Sequence, residues 1–164
     1  MSIDIRIGDS GDVESALSVY ERSNLVRRRG VWPARASRLE HVAANLRDPA
    51  SWFLVAYDAG EAVAMASVLP FRRERGAEPL VAGTAFLDLI YVLPGRWGEG
   101  IGGAMLDAVV EEATRRGSGR LHLWTHERDN ERAQRLYTSR GFVRTGVTGL
   151  DEVGQPVAEW RRDG

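Results

Sequence analysis

The chain has 164 residues, of which 27% are charged and 43% are hydrophobic, and its formal net charge at pH 7 is −1. This balance excludes a general electrostatic attraction to nucleic acid or to anionic membranes. The chain contains neither cysteine nor lysine, which excludes disulfides, thiolate catalysis, Schiff-base chemistry and a P-loop lysine.

The same sequence bears on compartment and on metals. No apolar run approaches the roughly 20 residues that span a bilayer, and the N-terminus carries acids where a signal peptide needs an apolar core. His41, His122 and His126 are not spaced like the ligands of a known metal motif. We therefore expect a cytoplasmic protein with no bound metal, and neither nucleic acid nor a membrane as a partner.

Hydrophobic periodicity and turn residues divide the chain into alternating strands and helices. The first strand alternates isoleucine with polar residues, and Asp9 or Ser10 is expected to cap the first helix. In chain order, the predicted elements are a strand at 3–7, helices at 10–26 and 37–47, strands at 52–57, 61–70 and 81–94, a helix at 102–116, a strand at 120–125, a helix at 130–141, and strands at 142–150 and 156–162. This order predicts an α/β protein with a mixed sheet, and its length fits one domain over residues 1–164.

The stretch PGRWGEGIGGAML, residues 94–106, contains G-x-G-x-x-G at Gly98, Gly100 and Gly103. A strand runs into this glycine-rich turn, and a helix begins inside it. The first N–H groups of a helix lack intrahelical acceptors and carry positive dipole character, so the turn suits a phosphate. The alternative is a tight strand–helix turn that needs glycine only for positive φ.

Two familiar phosphate sites fit this turn poorly. A dinucleotide-binding fold should have the fingerprint after an early strand, yet only about 60 residues follow Gly103, too few for the rest of that fold. A P-loop needs G-K-[ST], which is absent from this sequence. These mismatches make a nucleotide-dependent oxidoreductase an unfavoured hypothesis for this chain.

The glycine-rich turn, extended back to Val92, and a later stretch resemble the two signatures of one enzyme family. VLPGRWGEGIGG, residues 92–103, resembles the acetyl-CoA loop of the GCN5-related N-acetyltransferases, the GNAT superfamily. About 30 residues later, NERAQRLYTSRGF, residues 130–142, resembles the second signature of that family. The order of predicted elements is also similar to that of the family over essentially the whole chain.

The resemblance implies a fold and a function. The fold is the GNAT fold, a mixed central sheet with flanking helices in which the fourth strand (β4, predicted at 81–94) and the fifth (β5, predicted at 120–125) splay around the cofactor. The function is transfer of an acetyl group from acetyl-CoA to a small-molecule amine or a peptide N-terminus. A non-catalytic domain that binds acyl-CoA as a sensor is the second hypothesis, and the resemblance also allows a homodimer.

Cofactor binding is implied for the end of β4, for the glycine loop and for one asparagine. The pantetheine arm would pair with the strand backbone, and the pyrophosphate would lie on the N–H groups of the loop. The implied residues are Ile90, Tyr91, Val92, Gly98, Glu99, Gly100, Ile101, Gly102, Gly103 and Asn130. Alternatively, the strand side chains are only core, and the asparagine only caps a helix.

The resemblance also implies catalytic roles. Tyr137 matches the residue that protonates the departing thiolate, although a core tyrosine is the alternative. Some relatives carry a glutamate base where this chain has Thr125, so Asp88 is the first candidate for the general base, and His126 and Glu127 are the next. Water alone serves as the base in some members.

The loop departs from the family pattern at two positions. Trp97 stands where glutamine or arginine is common, and its indole can pack over the loop. Glu99 stands where the family commonly has a basic side chain. Since an inward carboxylate would repel pyrophosphate, we expect Glu99 to face solvent, and Glu99→Gln to leave the acetyl-CoA affinity equal or slightly better.

The acceptor pocket is less defined by the sequence. Arg27, Arg28, Arg29 and Trp32, together with RRERGAE at residues 72–78, are candidates for an anion clamp on the acceptor. The alternative for both stretches is a solvated basic turn.

Overall fold

The structure is a computed structural model that describes residues 2–27, 36–71, 81–151 and 154–164. Its order of helices and strands is the predicted one. In chain order the elements are β1 (Asp4–Ile7), α1 (Val13–Arg27), α2 (Ala36–Arg47), β2 (Trp52–Asp58), β3 (Glu61–Pro70), β4 (Thr84–Val92), α3 (Ile101–Arg115), β5 (Arg120–His126), α4 (Glu131–Ser139), β6 (Val143–Leu150) and β7 (Pro156–Arg162). Short 3₁₀ turns precede α1 at Ser10–Asp12 and follow β4 at Pro94–Arg96.

The described strands form one seven-stranded sheet in the order β1-β2-β3-β4-β5-β7-β6. β4 and β5 pair in parallel, whereas β1–β2, β2–β3, β5–β7 and β6–β7 are antiparallel. The sheet is therefore mixed, and the predicted α/β fold class is confirmed. The register of the parallel pair runs from Thr84↔Arg120 to Leu87↔Leu123, while β4 continues to Val92 and β5 to His126.

The start of α1 shows how local chemistry sets an element boundary. Asp9 accepts a hydrogen bond of 2.8 Å from the Gly11 N–H, and the Asp9 N–H donates one of 3.0 Å to the Asp12 carboxylate. This reciprocal capping box satisfies N–H groups that have no partner inside the helix. The predicted cap at Asp9 is confirmed, although the first turn is 3₁₀ and α1 proper begins at Val13.

The two boundaries beside the glycine-rich turn differ from prediction. β4 ends at Val92 rather than at residue 94, because Pro94 has no N–H for the ladder and begins the 3₁₀ turn. α3 begins at Ile101, one residue earlier than predicted, because Gly100 has a φ of 84° and the helix starts directly after it.

The chain divides into two compact units. The first comprises Met1–Leu69 and Leu89–Val109, and the second comprises Pro70–Asp88 and Val110–Gly164. The single domain predicted over residues 1–164 stays a prediction.

Each unit has its own buried apolar residues. In the first unit, one face of α1 and α2 packs against the strands, and the cluster comprises Val13, Ala16, Val19, Tyr20, Val42, Leu46, Phe53, Val55, Met65 and Leu89. In the second unit, the buried residues include Leu121, Leu123, Tyr137, Phe142, Ala158 and Trp160. The apolar positions predicted for α3, namely Met105, Leu106, Val109 and Ala113, are each fully buried.

Candidate active site

The end of β4 alternates between the core and the opposite face. Leu87 and Leu89 are buried, and Tyr91 packs against the core cluster of the first unit, with its ring 5.5 Å from that of Tyr20 in an edge-on arrangement. Asp88 and Ile90 alternate with these residues and are half-buried. The period of a strand therefore places the first candidate for the base, Asp88, and Ile90 on the other face of β4 from Leu87 and Leu89.

The glycine loop, residues 94–103, combines two positive-φ turns with a helix start. Gly98 and Gly100 have φ of 85° and 84°, which L side chains adopt at an energetic cost. The predicted need for positive φ is therefore met at both positions. A Cβ at Gly100 would meet no described atom within 4 Å, so the conformation of the backbone, and not crowding, favours glycine there.

The first turn of α3 presents a row of backbone donors. Ala104 N–H donates to the Gly100 carbonyl at 3.1 Å, which is the first bond of the helical ladder. The N–H groups of Ile101, Gly102 and Gly103 precede that bond and have no intrahelical acceptor. The first turn of α3 contains no acidic residue. This end of the helix is therefore suited to an anion.

Trp97 connects the loop to the end of β4. Its indole Nε1 donates a hydrogen bond of 2.9 Å to the Val92 carbonyl, which also accepts a bond of 3.4 Å from the Ser23 hydroxyl on α1. Trp97 as a whole is 47% exposed. Leu93 N–H donates to the Val63 carbonyl on β3 at 2.9 Å, so the strand and the loop are held on both sides of the Val92–Leu93 peptide.

Arg96 pairs with two acids. Its guanidinium donates to the Glu99 carboxylate at 2.8 and 3.0 Å and lies 2.9 Å from an oxygen of Asp58, the last residue of β2. The hydrogen bonds from Arg96 lower the pKa of Glu99, and the bonds to Glu99 and Asp58 raise the pKa of Arg96 above its usual value. Glu99 is exposed, as predicted, with its carboxylate held by Arg96. The partnership with Asp58 was not predicted, because no local pattern connects residues 58 and 96.

Asn130 occupies the N-cap position of α4, but its side chain makes no capping hydrogen bond. Its amide instead donates to the Thr125 hydroxyl at 2.6 Å and to the His126 carbonyl at 2.9 Å. Gln134 also donates to the His126 carbonyl, at 3.1 Å. The alternative role of Asn130, a side-chain cap on α4, is therefore not observed, and the amide closes the β5–α4 turn in the second unit. Its role beside the cofactor stays a prediction.

Tyr137 lies on the buried face of α4 with 6% of its surface exposed. The centroid of its ring lies 5.9 Å from that of the Phe142 ring and 6.3 Å from that of the Trp160 ring. This packing fixes the orientation of the ring and fits either of its predicted roles. Its assignment as the acid stays a prediction.

The other two candidates for a base are held by charged partners. His126 Nε2 lies 2.8 Å from Asp151 Oδ2, and both side chains are mostly buried. Glu127 pairs with Arg144. Asp151 was not singled out from the sequence, because no local pattern connects it to a residue 25 positions earlier.

The candidate anion clamps are not located by the structure. Residues 28–35 and 72–80 lie outside the described residues, as does the side chain of Arg27.

Within the described residues, no helix is long and apolar enough to cross a membrane.

Comparison with known families decides the class of the chain. Residues 16–142, well over half of the sequence, match the acetyltransferase (GNAT) family. The chain belongs to that family. It is an acetyltransferase with the GNAT fold, and the resemblance stated from the loop and from the α4 signature is confirmed.

Solved structures agree with the fold of this GNAT acetyltransferase. The ribosomal-protein-S18-alanine N-acetyltransferase of Escherichia coli superposes with a TM-score of 0.76 at 20% identity, covering 98% of this chain and 93% of that one. PaiA N-acetyltransferase of Thermoplasma acidophilum, solved with coenzyme A, gives a TM-score of 0.71 at 18% identity, covering 100% of both chains. YncA of Salmonella typhimurium, solved with acetyl-CoA, gives 0.73 at 22% identity, covering 99% of this chain and 94% of that one. A search of curated proteins found no match.

Proposed function

We propose that this chain is an acetyl-CoA-dependent N-acetyltransferase that acetylates a primary amine, either on a small molecule or at a peptide N-terminus. The observation that carries the proposal is the junction of β4 and α3. There, two glycines with positive φ lead directly into α3. The first turn of this helix has backbone N–H donors and contains no acidic residue. Membership of the acetyltransferase family and solved relatives that hold CoA or acetyl-CoA support the proposal.

The residues at this junction fit the groups of a CoA thioester. A pyrophosphate would accept hydrogen bonds from the N–H groups of Gly98 to Gly103 and would be favoured by the helix dipole. A pantetheine arm needs backbone donors and acceptors along a strand, which the end of β4 at Ile90–Val92 would supply. Since the Val92 carbonyl already accepts two bonds, we assign the cofactor contact of this residue to its N–H.

The reaction is a direct attack. The amine nitrogen bonds to the carbonyl carbon of the thioester, the carbon–sulfur bond then breaks, and the nitrogen loses a proton. A backbone N–H of β4 near Val92 stabilises the negative charge that develops on the carbonyl oxygen. Orientation of the two reactants alone is worth about 7–11 kcal/mol, so the strand and the loop contribute to the rate by holding the thioester in place.

Two side chains carry the proton transfers. Tyr137 donates its phenolic proton to the departing thiolate as the carbon–sulfur bond breaks, a step that a phenol performs as a general acid. Asp88, directly or through a water, accepts the proton that the amine loses. His126 is the second candidate for the base, because its pairing with Asp151 fixes the orientation of its ring.

A non-catalytic acyl-CoA sensor is the second candidate function. It is favoured by Thr125, which replaces a glutamate that some relatives use as a base, and whose hydroxyl is engaged by Asn130. The two functions share the cofactor site and differ only in turnover.

A thiol-release assay with acetyl-CoA across a panel of amines tests the proposal. The panel comprises amino acids, polyamines, aminoglycosides and peptides with free N-termini. We expect release of CoA thiol that depends on at least one amine. Binding of acetyl-CoA with no release for any amine would contradict the proposed enzyme and support the sensor.

A further inference from the structure

We propose that Arg96 is a positioning residue that fixes the glycine loop for the cofactor by linking it to Asp58 on β2. The inference rests on the proposed function, since it concerns the same pyrophosphate site. It adds two residues, Arg96 and Asp58, to those that determine the affinity for acetyl-CoA.

The link joins distant parts of the first unit. Arg96 belongs to the 3₁₀ turn that begins the loop, whereas Asp58 is the last residue of β2 and lies next to the hairpin turn at Ala59–Gly60. The guanidinium lies 2.9 Å from the Asp58 carboxylate, and the two side chains are only 25% and 28% exposed. Partial burial reduces the screening that makes fully exposed ion pairs weak.

Arg96 contacts both acids through one edge of its planar group. Nη2 lies 2.9 Å from Asp58 Oδ2 and also donates to Glu99 Oε1 at 3.0 Å, while Nε donates to Glu99 Oε2 at 2.8 Å. A bidentate contact of this kind fixes direction as well as distance. The segment between residues 96 and 99 is therefore closed on itself and attached to β2 at the same time.

The backbone of the loop explains why such a link matters. Gly98 and Gly100 have wide conformational freedom, and the loop loses entropy whenever it is ordered for a ligand. A loop that is already held in its binding conformation loses less entropy when the ligand binds, which raises affinity. Arg96 supplies that order at the start of the loop, where Trp97 also donates to the Val92 carbonyl.

The link also controls charge beside the donors of α3. Glu99 lies two residues before the helix, where an unpaired carboxylate would repel a pyrophosphate. Arg96 directs that carboxylate to itself and offsets its charge. Because both acids already engage the guanidinium, Arg96 acts on the cofactor through the loop and not by binding phosphate.

The test compares Arg96→Ala, Asp58→Asn and the double variant by calorimetric titration with acetyl-CoA and by steady-state kinetics. Arg96→Ala also exposes the charge of Glu99, so Asp58→Asn, which keeps the side chain's shape, isolates the link. Arg115→Ala is the matched control, since it breaks an Arg–Glu pair on α3, with Glu112, far along the helix from the loop.

We expect Arg96→Ala to raise the Kd for acetyl-CoA about tenfold, and Asp58→Asn to raise it by about three- to tenfold, with the double variant no worse than Arg96→Ala alone. The KM for acetyl-CoA should rise with the Kd. The kcat at saturating acetyl-CoA, the KM for the amine and the melting temperature should stay close to those of the wild type. Arg115→Ala should leave the Kd unchanged.

Three results would overturn the inference. They are an unchanged Kd in Asp58→Asn, fully additive effects in the double variant, or a fall in melting temperature with no change in Kd.

Failure of the inference is distinguishable from failure of the proposed function. If the wild type binds acetyl-CoA and the variants bind equally well, only the positioning role is wrong, whereas both fall if the wild type does not bind it.

Discussion

The indole of Trp97 donates a hydrogen bond of 2.9 Å to the carbonyl oxygen of Val92, five residues earlier in the chain. This bond closes the turn between the last residue of β4 and the glycine loop. It also occupies an acceptor beside the proposed position of the thioester. A residue that departs from the family pattern thus contributes to the geometry of the proposed cofactor site.

Trp97→Phe should weaken acetyl-CoA binding modestly. The substitution keeps an aromatic ring but removes the donor, and a net hydrogen bond is worth about 0.5–1.5 kcal/mol, or roughly two- to tenfold in Kd. Calorimetric titration measures the change, and Trp52→Phe on β2 is a control for the loss of one indole. An unchanged Kd for Trp97→Phe would show that the bond to Val92 does not shape the site.

Tyr137→Phe should lower turnover by one to two orders of magnitude and leave acetyl-CoA binding nearly normal, because only the proton donor is lost. The ring contacts with Phe142 and Trp160 are retained by phenylalanine. Steady-state kinetics and calorimetry measure the two quantities. Tyr57→Phe, which removes the hydroxyl that donates to Asp12 at 2.6 Å, serves as a control outside the proposed chemistry. Normal turnover in Tyr137→Phe would remove the residue from the mechanism.

Asp88→Asn should lower kcat/KM for the amine while leaving the Kd for acetyl-CoA unchanged, because the variant removes the proposed proton acceptor and adds no volume. His126→Gln provides the comparison, since it removes the second candidate. The pH dependence of kcat/KM decides between them, because the titration of the essential base shapes its acidic limb. Loss of that limb in His126→Gln, with a normal profile in Asp88→Asn, would assign the role to His126.

Glu99→Gln should leave the affinity for acetyl-CoA equal or slightly higher. The change removes a negative charge near the helix start, while Gln can still accept a hydrogen bond from Arg96 and the Arg96–Asp58 contact is untouched. Calorimetric titration at low and moderate salt measures the effect. A large loss of affinity would mean that the carboxylate itself holds the loop, and would contradict the expected outcome.

His122 should make the fold less stable in mild acid. Burial lowers the pKa of this histidine, and the Glu159 carboxylate, 3.3 Å from Nδ1, offsets that effect only in part. The unfolded chain therefore binds a proton near pH 6.5 that the folded protein accepts only at lower pH. Stability is full above that pH and falls as the pH drops toward the folded-state pKa.

Urea unfolding at pH 8 and pH 5 measures this dependence. His122→Gln should flatten the difference between the two pH values, although it also loses the stacking of the ring on Phe71 at 4.0 Å. His41→Gln, at an exposed position of α2, should keep the wild-type difference. An equal fall in stability for His122→Gln and the wild type would exclude this histidine as the cause.

Local patterns in the sequence predict the elements of this fold well. The cap at Asp9, the positive φ at Gly98 and Gly100, and the buried face of α3 each follow from residues within one or two turns of each other. Hydrophobic period and turn residues carry that information directly. The family signature adds the family and the proposed site, because both of its parts stand in order along the chain.

The contacts that hold the site together follow no local pattern. Asp58 meets Arg96 across 38 positions of sequence, and Ser23 reaches the Val92 carbonyl across 69. Such pairs arise from the packing of the hairpin and α1 beside the end of β4. The side chain of Asn130 illustrates the same limit. Its place at the start of α4 is compatible with a cap, whereas the position of Thr125 on β5 offers it a different partner.

The most direct test of the account is calorimetric titration of the wild-type protein with acetyl-CoA, and with NADH in parallel. We predict saturable binding of acetyl-CoA at one site per chain and no binding of NADH at the same concentrations. In a thermal-shift format, acetyl-CoA at 100 times its Kd should add about 2.7 kcal/mol to the free energy of unfolding. Binding of NADH with no binding of acetyl-CoA would contradict the assignment of the glycine loop to a CoA pyrophosphate.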